Sequence, residues 1–385
     1  MTYMPSNAQW RLLLAGLIGT AGLAAQDVPL PGGSIDFNLP KDSPVTLLNI
    51  STGESRATAR GAALVLDLHM SLTLRNAGTA RIRGVTLRVV SQEVTLGGKG
   101  SVAYPSLNVG PGEAFPVRID MQLMRPTQVA GGPLVEVNLD GVLFQDLSFF
   151  GPDRLNSRRT MTAWEMEAQR DREYFKRILS QNGRGGLQQA MIESLDRQGS
   201  LPQLDVRVLR GGRAVSSAAP VPERVTKFAF LHFPDAPIEP LEGWAQVSGN
   251  EASAPRVEVR NSSKRPVKYV ELGWVLSDAS GRPYLAGSLP SADSALYLPP
   301  GGTARVLQDT TLRFSSNGQP IAIQKMTGFV SQVEFADGKI WVPNRQSLND
   351  ALLRRAMAPS SEEQRLSGIY RRKGLDALIE ELKKF

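Results

Sequence analysis

From Leu64 to Leu74 every second residue is Leu or Met, with Val65, Asp67, His69, Ser71 and Thr73 between them. A period of two predicts a β-strand with one face on a core and the other toward water. Val85, Leu87 and Val89 predict the next strand, across a loop carrying Ala77 and Gly78. Phe115, Val117, Ile119, Met121 and Leu123 predict another, introduced by a Pro111-Gly112 turn. Val135, Val137 and Leu139 then lead through Asp140-Gly141 to Val142 and Phe144. Asp-Gly tolerates positive φ, so this segment predicts a hairpin turning at that pair. Val333, Phe335, Asp337-Gly338, Ile340 and Trp341 predict the same device late in the chain.

Between these β regions the period changes. Met161, Trp164, Ala168, Phe175, Ile178 and Leu179 recur near helical spacing, with Glu165, Glu167, Arg170, Asp171, Arg172, Glu173 and Arg177 among them. An amphipathic helix follows from that spacing. Gln181, Asn182 and Gly183 break it, and Leu187, Met191 and Leu195 predict a shorter second helix. Near the end, Leu348, Leu352 and Leu353 begin a helix, and Pro359, Ser360, Ser361, Glu362 and Glu363 read as a break with a capped restart. Leu375, Leu378, Ile379 and Leu382 then form an apolar stripe at i, i+3, i+4, i+7. Such a stripe must pack on its own chain or on a partner, which makes these four the candidate interaction residues.

The chain also resembles itself. Arg75 to Val89 lies over Arg260 to Trp274 without a gap, keeping the Arg-Asn start and the apolar positions. Leu107, Val109, Pro111, Gly112 and Val117 answer Leu296, Leu298, Pro300, Gly301 and Val306. Offsets of 185 and 189 residues indicate two domains and not a solenoid of short units. Gly186-Leu187 with Met191-Ile192-Glu193 and Leu195 echoes Gly374-Leu375 with Leu378-Ile379-Glu380 and Leu382. The expected fold is mainly β: two antiparallel β-sandwiches, each followed by a short helical segment. The expected divisions are a leader at 1–25, a first sandwich at 26–150 and a helical linker at 151–200. A second sandwich at 201–345 and a helical tail at 346–385 complete the chain.

The Asn-bearing turn after one strand and the Pro-Gly turn before a later one resemble the immunoglobulin-like sandwiches of exported bacterial proteins. The resemblance covers both β regions and neither helical segment. It implies that Trp274 is buried on the third strand of its unit; Val89 stands there in the first unit, and the paired cysteines of antibody domains are missing. Such sandwiches host adhesion, ligand-binding, chaperone and spacer roles, so the resemblance implies a fold and no activity.

Arg11, the apolar run Leu12–Ile18 and the small residues through Ala25 have the order of a secretory signal peptide, cleaved after Ala24 or Ala25. The mature chain is therefore expected in the periplasm or outside the cell. It contains no cysteine, so its cores must hold without disulfides, and a thiolate nucleophile or sulfur-ligated metal is excluded. No later apolar run approaches bilayer length. The net charge of +7 is a mild bias over 385 residues, and no basic-aromatic cluster points to nucleic acid.

Catalytic constellations are hard to assemble from this sequence. His69 falls on the water-facing register of its strand, and His232 lies near Asp235. Neither has a sequence context for a nucleophilic triad, and Gly97-Gly98-Lys99-Gly100-Ser101 lacks the phosphate-loop pattern. Paired carboxylates need no motif, so Asp278 and Asp293 are the residues a glycosidase would use, although their Ser, Gly and Pro neighbours are ordinary turn composition. Tyr284, Tyr297 and Trp341 are the residues a carbohydrate platform would use. The expectation is a non-catalytic interaction or scaffold protein with no cofactor, acting on another envelope or extracellular protein. A carbohydrate-binding module is the alternative, and a hydrolase with paired acids comes third.

Overall fold

A computed structural model describes residues 27–30, 32–127, 132–200, 203–210, 224–290, 296–306, 310–344 and 357–385. The leader, Asp293 and the helix start at Leu348, Leu352 and Leu353 lie outside the described residues.

The first β-unit contains β1 (Asp27–Pro29), β2 (Ile35–Asn38), β3 (Val45–Ser51), β4 (Arg56–Arg60), β5 (Ala63–Asn76), β6 (Ile82–Val90), β7 (Lys99–Tyr104), β8 (Ala114–Pro126), β9 (Val135–Phe144) and β10 (Phe149–Phe150). One sheet centres on β5, which carries β3 and β4 on one edge and β8 on the other. The other runs β7-β6-β9, with β2 and β10 also on β9. Leu66, Leu68, Met70, Leu72 and Leu74 of β5 meet Val85 and Leu87 of β6 and Val137 of β9 in one core. The alternation along β5 is thus the inward face of one sheet.

Helix α1 (Ser157–Ser200) follows, then the second unit. Its strands are β11 (Gln203–Arg210), β12 (Arg224–Lys227), β13 (Ala229–Leu231), β14 (Ile238–Ser248), β15 (Glu251–Asn261), β16 (Val267–Ser277), β17 (Pro283–Pro290), β18 (Thr303–Val306), β19 (Thr310–Ser316), β20 (Gln319–Pro320), β21 (Lys325–Phe335) and β22 (Ile340–Trp341). Here β15 pairs β14, β18 and β19, while β16 pairs β17 and β21. Helix α2 (Ser361–Lys383) ends the chain, capped by Ser360, whose Oγ accepts from Glu363 N. No described helix is long and apolar enough to cross a membrane.

Asn76 and Asn261 close β5 and β15, and both are fully buried. Nδ2 of Asn76 donates to the carbonyls of Ala80 (2.9 Å) and Val109 (3.1 Å). Nδ2 of Asn261 donates to those of Arg265 (2.8 Å) and Leu298 (2.9 Å). Each Oδ1 accepts a backbone N–H two residues on, from Gly78 and from Ser263. Gly112 and Gly301, the glycines of the Pro-Gly turns, both have positive φ and donate to the asparagines' own carbonyls. A buried amide satisfied on every side accounts for an asparagine at each of the two positions.

Four expectations are corrected. The sheets are mixed, because β2 runs parallel to β9, β13 to β21 and β11 to β17. Asp140-Gly141 is no hairpin turn: both residues lie inside β9, at a register shift against β6. Asp140 there accepts from Arg154 N (2.8 Å) and Ser157 Oγ (2.7 Å), and a Cβ on Gly141 would fall 2.0 Å from the Phe149 ring. The turn comes later, where Phe144 N bonds Ser148 O and Leu147 takes φ 65°. Asp337-Gly338 does turn as expected, with Gly338 at φ 80°.

Third, the strands do not all bury a single face. Most of β6 is buried on both sides, because Met161 of α1 covers the outer one at Gly84 and Thr86. Fourth, the helical segment between the units is longer than a short linker, Ser157–Ser200, but it breaks as expected at Gly183, whose backbone (φ 65°, ψ −163°) only glycine adopts readily and which divides α1 into two helical pieces. Gly374 bends α2 in the same way (φ 83°, ψ −177°). The two corners align Leu187 and Met191 with Leu378 and Leu382, a different register from the echo read along the sequence.

Candidate functional site

The two bent helices pack on each other between the β-units. Phe175, Leu187 and Met191 of α1 meet Leu366, Leu378 and Leu382 of α2 in a small core, with Leu375 and Ile379 half-buried against it. The four-residue stripe is therefore covered by α1. Its apolar face packs within the chain.

Charged side chains complete this junction. The buried stripe of α1 runs Met161, Glu165, Ala168, Arg172, Phe175, so two charges occupy positions that face a core. Arg172 donates to Glu165 Oε1 (2.6 Å) and to Glu362 Oε1 (3.3 Å). Arg83 of β6 approaches Glu165 at 3.5 Å. Arg365 grips Glu362 through Nε (2.8 Å) and Nη2 (2.9 Å), and reaches Glu381 through Nη1 (2.5 Å). The Phe385 ring lies beneath three guanidiniums, those of Arg172 (4.2 Å), Arg83 (5.0 Å) and Arg365 (5.5 Å). A desolvated ring face under cations adds electrostatic attraction to the packing. Asn108 Nδ2 donates to Lys384 O (2.8 Å), and Asn108 Oδ1 accepts from Arg83 (2.8 Å), so the end of α2 is tied to the first β-unit.

Reciprocal ties hold α1 to the second unit. Arg158 pairs with Glu334 and donates to Gly338 O (3.3 Å), Arg159 lies 3.5 Å over the Tyr269 ring, and Arg170 donates to Pro343 O (2.8 Å). Ala163 and Met166 pack against Ile340 and Val342. At the start of α2, Ser360 Oγ donates to Asp171 (2.6 Å), and Glu363 accepts from Ser194 (2.7 Å) and pairs with Arg197.

Burial sets the electrostatics. It pushes the Glu165 carboxyl up, against the pull of Arg172 and Arg83, and pulls the Arg83 guanidinium down. Burial also opposes the charge on Arg365, but Glu362 and Glu381 outweigh it and hold that guanidinium above its ordinary value. Glu167 is pushed up to about 7, by burial first and then by Asp171 and Glu271, with Arg170 opposing. Carboxylates gripped by buried guanidiniums hold the geometry of the junction.

The other candidates stand apart. His69 lies exposed on the outer face of β5, between Asp120 (3.1 Å) and Asp67 (3.5 Å); its hydrogen bond to Asp120 raises it. His232 lines a cavity of about 350 Å³ with Phe233, Glu239 and Ser262, and Glu239 is paired to Arg260. Asp278 is a turn residue, held below its usual range by bonds from Ser280, Arg282 and Tyr284. Tyr284 is buried against it, Trp341 bonds Asp235 and packs on Phe233, and Tyr297 alone of the three aromatics is exposed. Among the described residues no three His, Asp or Glu side chains converge as a metal site. The sequence places Glu165 and Arg172 among the charged residues of an amphipathic helix, and the structure buries them; their spacing in register with Met161, Ala168 and Phe175 is the signal that they face the core.

No family model and no curated protein matches this chain. Solved structures with some similarity include the putative ApaA protein from Bordetella pertussis, 16% identical over 37% of this chain and 88% of that one, at a TM-score of 0.19. A structural-genomics target, SoR45, is 13% identical over 37% of this chain and 80% of that one, at 0.17. A red sea bream transglutaminase is 9% identical over 75% of this chain and 31% of that one, at 0.13. At such TM-scores none of them bears on function.

Proposed function

We propose that this protein is an exported, non-catalytic scaffold that presents two immunoglobulin-like β-units, products of an internal duplication, to another protein of the envelope or cell exterior. One observation carries the reading: α1 binds both units that flank it, and α2 returns from the second unit to Asn108 and Arg83 of the first. Such cross-bracing holds two recognition surfaces at fixed spacing. The matched bonds of Asn76 and Asn261, the matched strand order around β5 and β15, and the burial of Trp274 in the second core support duplication and the immunoglobulin-like assignment.

The test is cross-linking in native envelope preparations with the intact protein and with Arg172→Ala. A stoichiometric protein partner, recovered with the intact protein and reduced at least about tenfold with Arg172→Ala while each β-unit keeps its methyl NMR spectrum, is the expected result. Retention on oligosaccharide arrays with no protein partner would replace the scaffold by a carbohydrate-binding module.

A further inference from the structure

The two β-units differ at one edge. In the second, β11 fills the gap between the sheets: it runs antiparallel to β19 from Asp205 to Arg210 and parallel to β17 at Gln203 and Leu204, and Leu204 is buried in the core. In the first unit the corresponding strands are β8 and β7. β8 pairs with β5 along its whole length, and among the described residues no strand pairs its other edge. The direction of its backbone follows from two contacts. Met124 N donates to Gly97 O (2.8 Å), and Arg118 N meets Tyr104 Oη (2.6 Å), so the even-numbered residues turn their N–H and C=O groups away from β5. Asp120 and Gln122, between those two closures, thus present outward backbone groups.

A second observation falls at the same place. Val94 (88% exposed) and Leu96 (92%) project from the loop that ends at Gly97, and Met124, whose side chain lies beside Gly97, is itself 38% exposed. These are the two most exposed large apolar side chains among the described residues, together with a third, at an unpaired edge. Charge is nearly cancelled there, since Arg118 lies 3.7 Å from Asp120. Open backbone groups flanked by exposed aliphatic side chains suit recognition by strand addition, in which main-chain bonds supply affinity and alternate side chains supply selectivity.

We infer that the β8 edge of the first unit receives an extended peptide segment of a partner protein, running antiparallel to β8 with alternating aliphatic residues, in the manner in which β11 lies on β19. The inference rests on the interaction reading above and names the class of partner. The chain's own β11 shows the occupant's chemistry: Leu204, Val206 and Val208 alternate with Asp205, Arg207 and Leu209.

The experiment uses the full chain and a capped synthetic peptide with the sequence of Gln203–Arg210. Saturable micromolar binding is expected by calorimetry, with slowed amide exchange at Asp120 and Gln122. Gln122→Pro removes an outward N–H without touching the β5 ladder and should weaken binding at least about tenfold. Leu96→Asp, in a loop outside any strand, should weaken it as well and keeps the test alive if the proline variant does not fold. Absent binding, binding undiminished in both variants, or slowed exchange at β19 in place of β8 overturns the assignment. A concentration-dependent dimer of the unliganded protein that Gln122→Pro abolishes also overturns it, in favour of a second copy of this chain. Should the peptide fail while envelope cross-linking still returns a partner, the edge assignment alone falls.

Discussion

The first β-unit and the second solve the same packing problem and finish it differently. Both bury an asparagine at the end of a long strand, and both carry the same pairing around that strand. The second adds β11, which joins its two sheets into one continuous array, whereas in the first no strand among the described residues pairs the outer edge of β8. The comparison teaches that two units with the same internal pairing need not have the same perimeter. An unpaired strand is a liability that proteins blunt or use, and here it coincides with exposed Val94 and Leu96.

A second contrast lies between the units and the helices joining them. The β cores are apolar, while the helix junction mixes Phe175, Leu366 and Leu378 with buried Arg172, Glu165 and Glu362. An apolar core tolerates small adjustments; a buried ion cluster holds one arrangement, because every misplacement leaves a charge unpaired.

The largest expected effect separates junction from units. Arg172→Ala removes the 2.6 Å partner of buried Glu165 and one of the two guanidiniums on Glu362, and should lower stability by about 3 to 5 kcal/mol. Calorimetry should show one unfolding transition becoming two; a single transition at nearly unchanged temperature would show that the brace carries no load. Next come the matched asparagines. Asn76→Ala and Asn261→Ala each remove a fully buried amide that bonds two carbonyls and a backbone N–H, and should each cost about 2 to 3 kcal/mol in urea unfolding. Unequal losses would break the equivalence of the two units.

The corner glycines follow. Gly183→Ala and Gly374→Ala place a side chain in a backbone region that only glycine favours, with open space around the added methyl. Each should cost about 1 to 2 kcal/mol, read as a lower thermal midpoint. A loss at one corner only would show that the helix hairpins are not counterparts.

The smallest effect is a pH dependence at the face of α1 toward the second unit. Glu167 titrates at about 7 when folded against 4.5 ordinarily, so the folded state holds its proton longer. Stability should therefore fall as pH rises from about 4.5 to about 7. Glu167→Gln should match the intact protein below that window and exceed it above that window by about 1 kcal/mol, a fraction of the roughly 3 kcal/mol that the whole shift is worth, because Glu167 is only partly buried. Parallel pH profiles for the two proteins would contradict the assignment.

Much of the fold was legible because it rests on local periodicity. The alternation from Leu64 to Leu74 became the inward face of β5, Ser360 became a cap, and Gly183 became a corner. Asp140-Gly141 misled because a turn-forming dipeptide is only permissive: contacts with Arg154, Ser157 and Phe149, distant by the rules of local propensity, drew it into a strand. The two-sided burial of β6 was equally hidden, since nothing in its own residues announces that a helix will cover it.

By itself, then, the sequence determined that there are two β-rich regions separated and followed by helices, and which leucines form a stripe, since these depend on the spacing of side chains along one element. Only the tertiary structure decided that the stripe of Leu375, Leu378, Ile379 and Leu382 lies on Phe175, Leu187 and Met191, that three arginines converge on Phe385, and that among the described residues no strand pairs the outer edge of β8. Those outcomes join residues as far apart as Arg83 and Phe385, and contacts between separate elements leave no periodic trace in either.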